Sequence, residues 1–232
     1  MNYSKYVEEK IINLPQHRIF ISSEFYNENC KVVPEKTYYK ILERLVKRNI
    51  IDYLARGLYY RTKKTSLGNI PLCENEIVDF FSEDEQGVLI GYKLFNKYGL
   101  TTQISKKIEM YSNRQSETIK HIKNIEIKKF DIEFNELNIK FIECLEILQN
   151  YNKIEDFDKD SFFQYIKNVT NYYDNSCIDY ILHKKKYKAS TIAFLKNILD
   201  YFKVENNLQQ YLSALSQYKI PLMEELYGPT SI

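Results

Sequence analysis

The stretch PEKTYYKILERLVKRNIIDYLARGLYYRTKK, residues 34–64, constrains the fold most, because its apolar spacing changes period part-way along. Over residues 34–49, Tyr38, Leu42, Leu45 and Val46 recur at three- and four-residue steps, which predicts a helix with one buried face. Pro34 suits the first helical turn, where a missing N–H costs nothing. Lys36, Thr37, Lys40, Arg44 and Lys47 are left on the opposite face. From Ile50 or Ile51 the period falls to two. A strand reaches Ala55, a turn follows at Arg56-Gly57, and a second strand returns from Leu58 to Arg61. Gly57 permits a tight turn that a side chain would resist.

Upstream, Tyr6, Val7, Ile11 and Leu14 predict a first helix over residues 3–14, closed by Pro15. In ISSEFY, Ser22 or Ser23 is the expected cap of a short second helix beginning near Glu24. Three helices and a two-stranded hairpin, in that order, make a winged helix-turn-helix. In such a module the last helix fits the major groove of duplex DNA, and the hairpin beside it meets phosphates or the minor groove. Lys36, Thr37, Tyr38 and Lys40 are then the expected base readers. Arg44, further along, contacts backbone, and Arg56, Arg61 and Lys63 supply phosphate affinity, with Lys64 beside them. One of Tyr38 and Tyr39 is expected in the core and the other at the surface. A protein-interaction module with a solvated basic face is the competing reading of the same residues.

Charge is distributed to match. Residues 1–64 hold 13 Lys and Arg against 7 Asp and Glu, while the remainder holds 20 against 24. A basic first module on a mildly acidic body points to a polyanion as the first module's partner.

The polar run TKKTSLGNIP, residues 62–71, reads as a linker between domains at 1–64 and 70–232. Beyond it, ENEIVDFFSE predicts a helix, and residues 87–99 predict a single helix packed closely at Gly87 and Gly91 and stopped at Gly99. KKIEMYS and IEIKKFDIEF alternate as strands, flanking a helical SETIKHIK at residues 116–123. The rest is mostly helical, with Ile192, Leu195, Ile198, Leu199 and Phe202 forming a core stripe. The expected class is α/β (α+β): a winged helix-turn-helix followed by a mixed, largely helical domain with a small sheet.

Several chemistries find no support. His17, His121 and His183 are far apart and lack ligands at metal spacing, and no G-x-x-x-x-G-K-[ST] loop occurs. The four cysteines, Cys30, Cys73, Cys144 and Cys177, are scattered without C-x-x-C spacing and read as reduced structural thiols. Asp131 and Glu133 would share one side of a strand, as paired metal-binding carboxylates do, so a metal-dependent nuclease is the enzymatic alternative. The expectation is no catalytic residue, no metal and no cofactor. The basic run HKKKYK, residues 183–188, reads as a solvated turn, with contact to an acidic protein or flanking DNA as the functional alternative. No apolar run approaches the ~18 residues of a membrane span, and the first residues lack the apolar centre of a signal peptide, so a cytoplasmic protein is expected.

In its first module ending in RGLYY, its helix opening at Gly91 and running into YGLTTQ (residues 98–103), its strand with YSN (residues 111–113) and its STIAFLKNILDYF tail, the chain resembles AbiE-type antitoxins. The resemblance spans nearly the whole chain and is carried residue by residue at 56–60 and 99–103. It implies an antitoxin of a type IV toxin-antitoxin, or phage abortive-infection, system. The winged helix would repress its own operon at inverted repeats in double-stranded DNA, and the second domain would counteract a nucleotidyltransferase-like toxin. A stand-alone regulator whose second domain binds a ligand is the milder rival.

Overall fold

The computed structural model describes residues 1–66, 68–115, 117–221 and Leu226. Leu67 of the expected linker, Ser116 of the expected helix, and residues 222–225 and 227–232 of the expected second domain lie outside the described residues. The chain divides into unit 1, Met1–Phe80, and unit 2, Phe81–Ile232.

In unit 1, α1 (Tyr3–Ile12) starts where the Asn2 side chain accepts the Lys5 N–H, and it buries Val7 and Ile11. β1 (Ile19–Ile21) runs directly into α2 (Ser22–Phe25), which continues as a π-helical turn, Tyr26–Cys30. The expected serine cap does not form. Ser22 is itself the first helical residue, because its N–H is taken by the Gly57 carbonyl at 2.8 Å and its side chain is buried. α3 (Glu35–Lys47) then buries Tyr38, Ile41, Leu42 and Leu45. β2 (Ile51–Ala55) and β3 (Leu58–Arg61) form the expected hairpin, with Gly57 at φ 74° in its turn and a bulge between Tyr53 and Ala55. β1 pairs antiparallel with the other side of β3, giving a sheet of order β1-β3-β2 that the sequence pattern did not announce.

The expected linker is folded. β4 (Lys63–Thr65) and β5 (Gly68–Ile70) make a second, exposed hairpin, and the buried Thr62 hydroxyl donates to the Asn49 carbonyl at 2.8 Å. α4 (Glu74–Ser82) follows, with the division between units falling inside it. Glu76 accepts from the Cys73 N–H at 2.7 Å and lies 2.6 Å from His17 Nδ1, which ties α4 back to the start of the sheet. These contacts move the boundary past residue 70. They also add acidic residues, so unit 1 as folded holds 13 Lys and Arg against 10 Asp and Glu. The net charge of this part of the chain is thereby +3, where residues 1–64 alone carry +6.

Unit 2 is built on a four-stranded sheet of β6 (Gly87–Ile90), β7 (Ile108–Ser112), β9 (Ile125–Lys129) and β8 (Ile119–Ile122), in the order β6-β7-β9-β8. β7 and β9 are parallel and the other pairs antiparallel. Two sequence expectations fail here. Residues 87–99 are not one helix: Val88 to Ile90 hydrogen-bond to β7, and α5 (Gly91–Lys97) begins only after Gly91 turns at φ 64°. Residues 117–123 are likewise no helix. Ile119 and Ile122 are helically spaced, yet pairing with β9 exposes Ile119 and His121 and buries Lys120 and Ile122.

Gly87 holds β6 close to its neighbours: a Cβ there would sit 2.4 Å from the Phe81 carbonyl oxygen and 2.6 Å from that of Tyr111. Backbone cannot yield as a side-chain tip can. Gly87→Ala is therefore expected to destabilise unit 2 by about 3 kcal/mol, the upper part of the overpacking range, read as a fall in thermal midpoint. An unchanged midpoint would show that the strands can part.

α6 (Glu136–Asn150) is the axis of the remainder. Eight successive residues from Phe141 to Leu148 are buried, as in a helix surrounded on all sides. α5, α7 (Lys159–Thr170), α8 (Asn175–Lys184) and α9 (Ala189–Tyr201) pack around it. Asn135, Asp158 and Asp174 cap α6, α7 and α8 by accepting backbone N–H groups. In α9, Ile192, Leu195, Ile198 and Leu199 of the stripe expected from sequence are buried, while its fifth member, Phe202, lies just past the helix and is half-buried.

Candidate nucleic-acid interface

The inner face of α3 sets which residues its outer face presents. Tyr38 is fully buried, its hydroxyl donates to the Ser22 carbonyl at 3.0 Å, and its ring lies 5.1 Å from that of Tyr26. Burial, with neighbouring phenols and Cys30, pushes its hydroxyl far above the ordinary tyrosine range. Tyr38 is thus a core residue that locks α2 to α3, and the expectation that it reads bases is corrected. Tyr38→Phe is expected to cost about 1 kcal/mol, the worth of one buried hydrogen bond, seen in urea unfolding, with DNA affinity unchanged. A loss of affinity beyond the loss of stability would return Tyr38 to the interface.

Outward, Lys36, Lys40, Glu43 and Lys47 succeed one another at steps of four, three and four, with Arg44 beside them and all five exposed. Among the described residues, Lys36, Lys40, Arg44 and Lys47 have no carboxylate at ion-pair distance. Arg48, just past the helix, is held by Glu8 through bonds of 2.6 and 2.8 Å. Thr37 is half-buried in the first turn of α3, where its N–H donates to the Pro34 carbonyl at 2.8 Å, so it belongs to the helix start more than to the cationic stripe.

The hairpin residues divide. Arg56 is exposed at the β2–β3 turn, beside Gly57. Arg61 is corrected: its Nη1 donates to the Leu14 carbonyl, so the guanidinium ties β3 to the segment after α1. Lys63 is exposed but sits in β4, outside the β2–β3 hairpin to which it was assigned.

Sequence reasoning missed an aromatic shelf beside the stripe. Tyr53, 54% exposed on β2, stands edge-on to Tyr59 of β3 with ring centres 5.7 Å apart, and Tyr59 stacks on Phe20 of β1 at 6.0 Å. Tyr39 and Glu43 lie four apart on the flank of α3. Burial first, then Tyr53, Glu43 and Tyr39, raise the Tyr59 hydroxyl above its ordinary range, and Tyr39 and Tyr59 pack against the same core cluster. The period-two register, Tyr53 opposite Tyr59 opposite Phe20, was the available signal.

Residues 6–154 match DUF6088, described as a family of unknown function, and they make up more than half of the chain. The chain belongs to the DUF6088 family. No curated protein matches the sequence. Among solved structures, the crystal structure of the RV2827C protein from Mycobacterium tuberculosis is similar over 86% of this chain and 77% of its own, at 6% identity and a TM-score of 0.44.

The DUF6088 match takes in the α3 face and also residues 98–103, whose side chains are used internally. The Asn96 amide donates to the Thr101 and Gln103 carbonyls, both at 2.9 Å, and the Thr101 hydroxyl donates to the Glu155 carbonyl at 2.5 Å. The Tyr98 hydroxyl donates to the buried Glu143 at 2.5 Å, with Lys97 Nζ 2.6 Å from the same carboxylate. Tyr98 and Tyr165, rings 4.3 Å apart, also line a cavity of about 530 Å³ with Lys140, Asp160, Gln164 and Asn168.

The basic run at 183–188 is not a uniformly solvated turn. Lys184, Lys186 and Lys188 are exposed, whereas Lys185 turns inward to Glu146 and the Tyr111 hydroxyl, its ammonium 4.1 Å from the Tyr111 ring centre and 4.5 Å from that of Tyr187. Asp131 and Glu133 are exposed in irregular backbone after β9, since the strand expected to align them ends at Lys129. Among the described residues no three His, Cys, Asp or Glu side chains gather as metal ligands, and no helix is long and apolar enough to cross a membrane. Burial raises the Cys144 and Cys177 thiols to about 12, which leaves them unreactive at neutral pH.

Proposed function

We propose that unit 1 is a winged helix-turn-helix that binds double-stranded operator DNA, and that the chain acts as an antitoxin and repressor of the AbiE kind. α3 is the recognition helix and the β2–β3 hairpin the wing. The observation that carries the reading is the set of four exposed cations on α3, Lys36, Lys40, Arg44 and Lys47, without carboxylate partners among the described residues and next to a hairpin tipped by Arg56. Uncompensated cations on a helix that can enter a major groove gain most from phosphates and from guanine or adenine edges. Lys36 and Lys40, nearest the N-terminal end of α3, read bases, and Arg44 and Arg56 hold the backbone.

Unit 2 counteracts a nucleotidyltransferase-like toxin, a role that rests on the resemblance of residues 99–103 and of the helical tail to that antitoxin family. The ligand-responsive regulator remains the second reading, supported by the cavity beside Tyr98 and Tyr165. The test is a gel shift on the protein's own upstream DNA against a scrambled duplex at two salt concentrations, followed by co-expression with an adjacent toxin gene. Sequence-specific retardation and rescue of growth support the antitoxin. Specific retardation without rescue favours the regulator, and no specific retardation removes both.

A further inference from the structure

The aromatic shelf does something that a phosphate-binding stripe does not need. Its most exposed member, Tyr53, offers a ring edge-packed on Tyr59, which is itself backed by Phe20, so the three rings form a supported platform. Tyr39 of α3 packs against the same core cluster as Tyr59, with Glu43 one turn further along the helix, and Lys36, Lys40 and Lys47, which have no carboxylate partner among the described residues, follow on the same helix. Charge decides which part of a nucleic acid comes to which place. The lysines attract the phosphates, whereas the Glu43 carboxylate repels them from the shelf and can accept hydrogen bonds from the N–H groups that unpaired base edges carry. In a duplex, a base face is covered by its stacked neighbours and cannot reach Tyr53. In a single strand it can, and sequence-tolerant stacking on aromatic side chains along a cationic track is how single strands are held.

Resting on the reading that this face meets nucleic acid, we propose that the surface made by α3 and the β2–β3 hairpin also binds single-stranded nucleic acid, with an unpaired base stacked on Tyr53 and the flanking phosphates on Lys36, Lys40 and Lys47. The face thus has two ligands, a duplex read by α3 and a single strand held by the shelf. Each would exclude the other, because both need the same lysines.

The test is fluorescence anisotropy of the full chain with a labelled oligothymidylate and with an abasic strand of equal length, which keeps the phosphates and lacks the bases. The full chain is expected to bind the thymidylate roughly ten-fold more tightly than the abasic strand. Tyr53→Ala should erase that difference without changing abasic binding, and Tyr53→Phe should keep it. Because Tyr53 is largely exposed, the alanine variant is expected to fold, and its unchanged affinity for the abasic strand checks this. Equal affinity for both strands, or a preference that survives Tyr53→Ala, overturns the single-strand proposal while leaving duplex binding standing. Failure to bind either strand or any duplex at low salt overturns this proposal together with the reading it rests on.

Discussion

A Lys36→Ala/Lys40→Ala protein is expected to lose operator-specific binding, with affinity for its own upstream duplex falling by roughly a hundred-fold or more while its unfolding free energy stays within about 0.5 kcal/mol of the parent's. The binding estimate follows from roughly 1–3 kcal/mol for each good base contact. The stability estimate follows from exposure, since both side chains point away from the core that Tyr38, Ile41, Leu42 and Leu45 make. The same substitution removes two cations, so the slope of log affinity against log salt should fall by about two. Lys63→Ala, by contrast, changes an exposed residue of the second hairpin and is expected to lower that slope by about one, equally on operator and scrambled DNA. Gel shifts or anisotropy over a salt series measure all of this. Equal, sequence-independent losses for the double variant and for Lys63→Ala would show that α3 supplies charge without reading bases.

The second large effect is expected in unit 2, where Lys185→Met should destabilise the fold by about 3–5 kcal/mol. Glu146, on α6, is almost wholly buried and is held by Lys185 and by the Tyr111 hydroxyl at 3.0 Å. Removing the lysine leaves a buried carboxylate without its counter-charge, the situation in which breaking a buried pair costs most. Burial also holds the Lys185 ammonium below its ordinary range, with Glu146 pulling it back up, so the pair is a compromise between desolvation and attraction. A paired replacement, Lys185→Met with Glu146→Leu, should therefore recover most of the loss. Amide hydrogen exchange of α6, which reports unit 2 separately from unit 1, is the appropriate measurement. Parent-like protection in the single Lys185→Met variant would show that the pair contributes nothing.

The two units differed in how far they could be read from the chain. α3 and the β2–β3 hairpin were legible because their signals are local: a 3.6-residue apolar period, then a period of two about a glycine turn. The cationic stripe followed from the same period. Which of its two adjacent tyrosines faced inward did not. Tyr38 and Tyr39 are adjacent in sequence, and only packing against Ser22 and Tyr26 puts the first in the core and the second beside the hairpin. Likewise Arg61 reads as a wing cation until Leu14 supplies a carbonyl for it, and Lys185 is indistinguishable from its neighbours until Glu146 is placed beneath it.

Strands were the harder case, for one physical reason. A helix closes its backbone hydrogen bonds within four residues, so its own sequence carries most of the information. A strand closes them with another segment: β1 waits for β3 and β6 for β7, both distant in the chain, and even β8 owes its burial pattern to its hairpin partner β9. That partnering exposed Ile119 and buried Lys120 against their own preferences, and it turned an expected linker into the β4–β5 hairpin. Local periodicity was enough to set the elements around α3 and the charges they could carry. Which of those charges remain uncompensated, and which rings gather beside them, was decided by contacts between residues that only folding brings together.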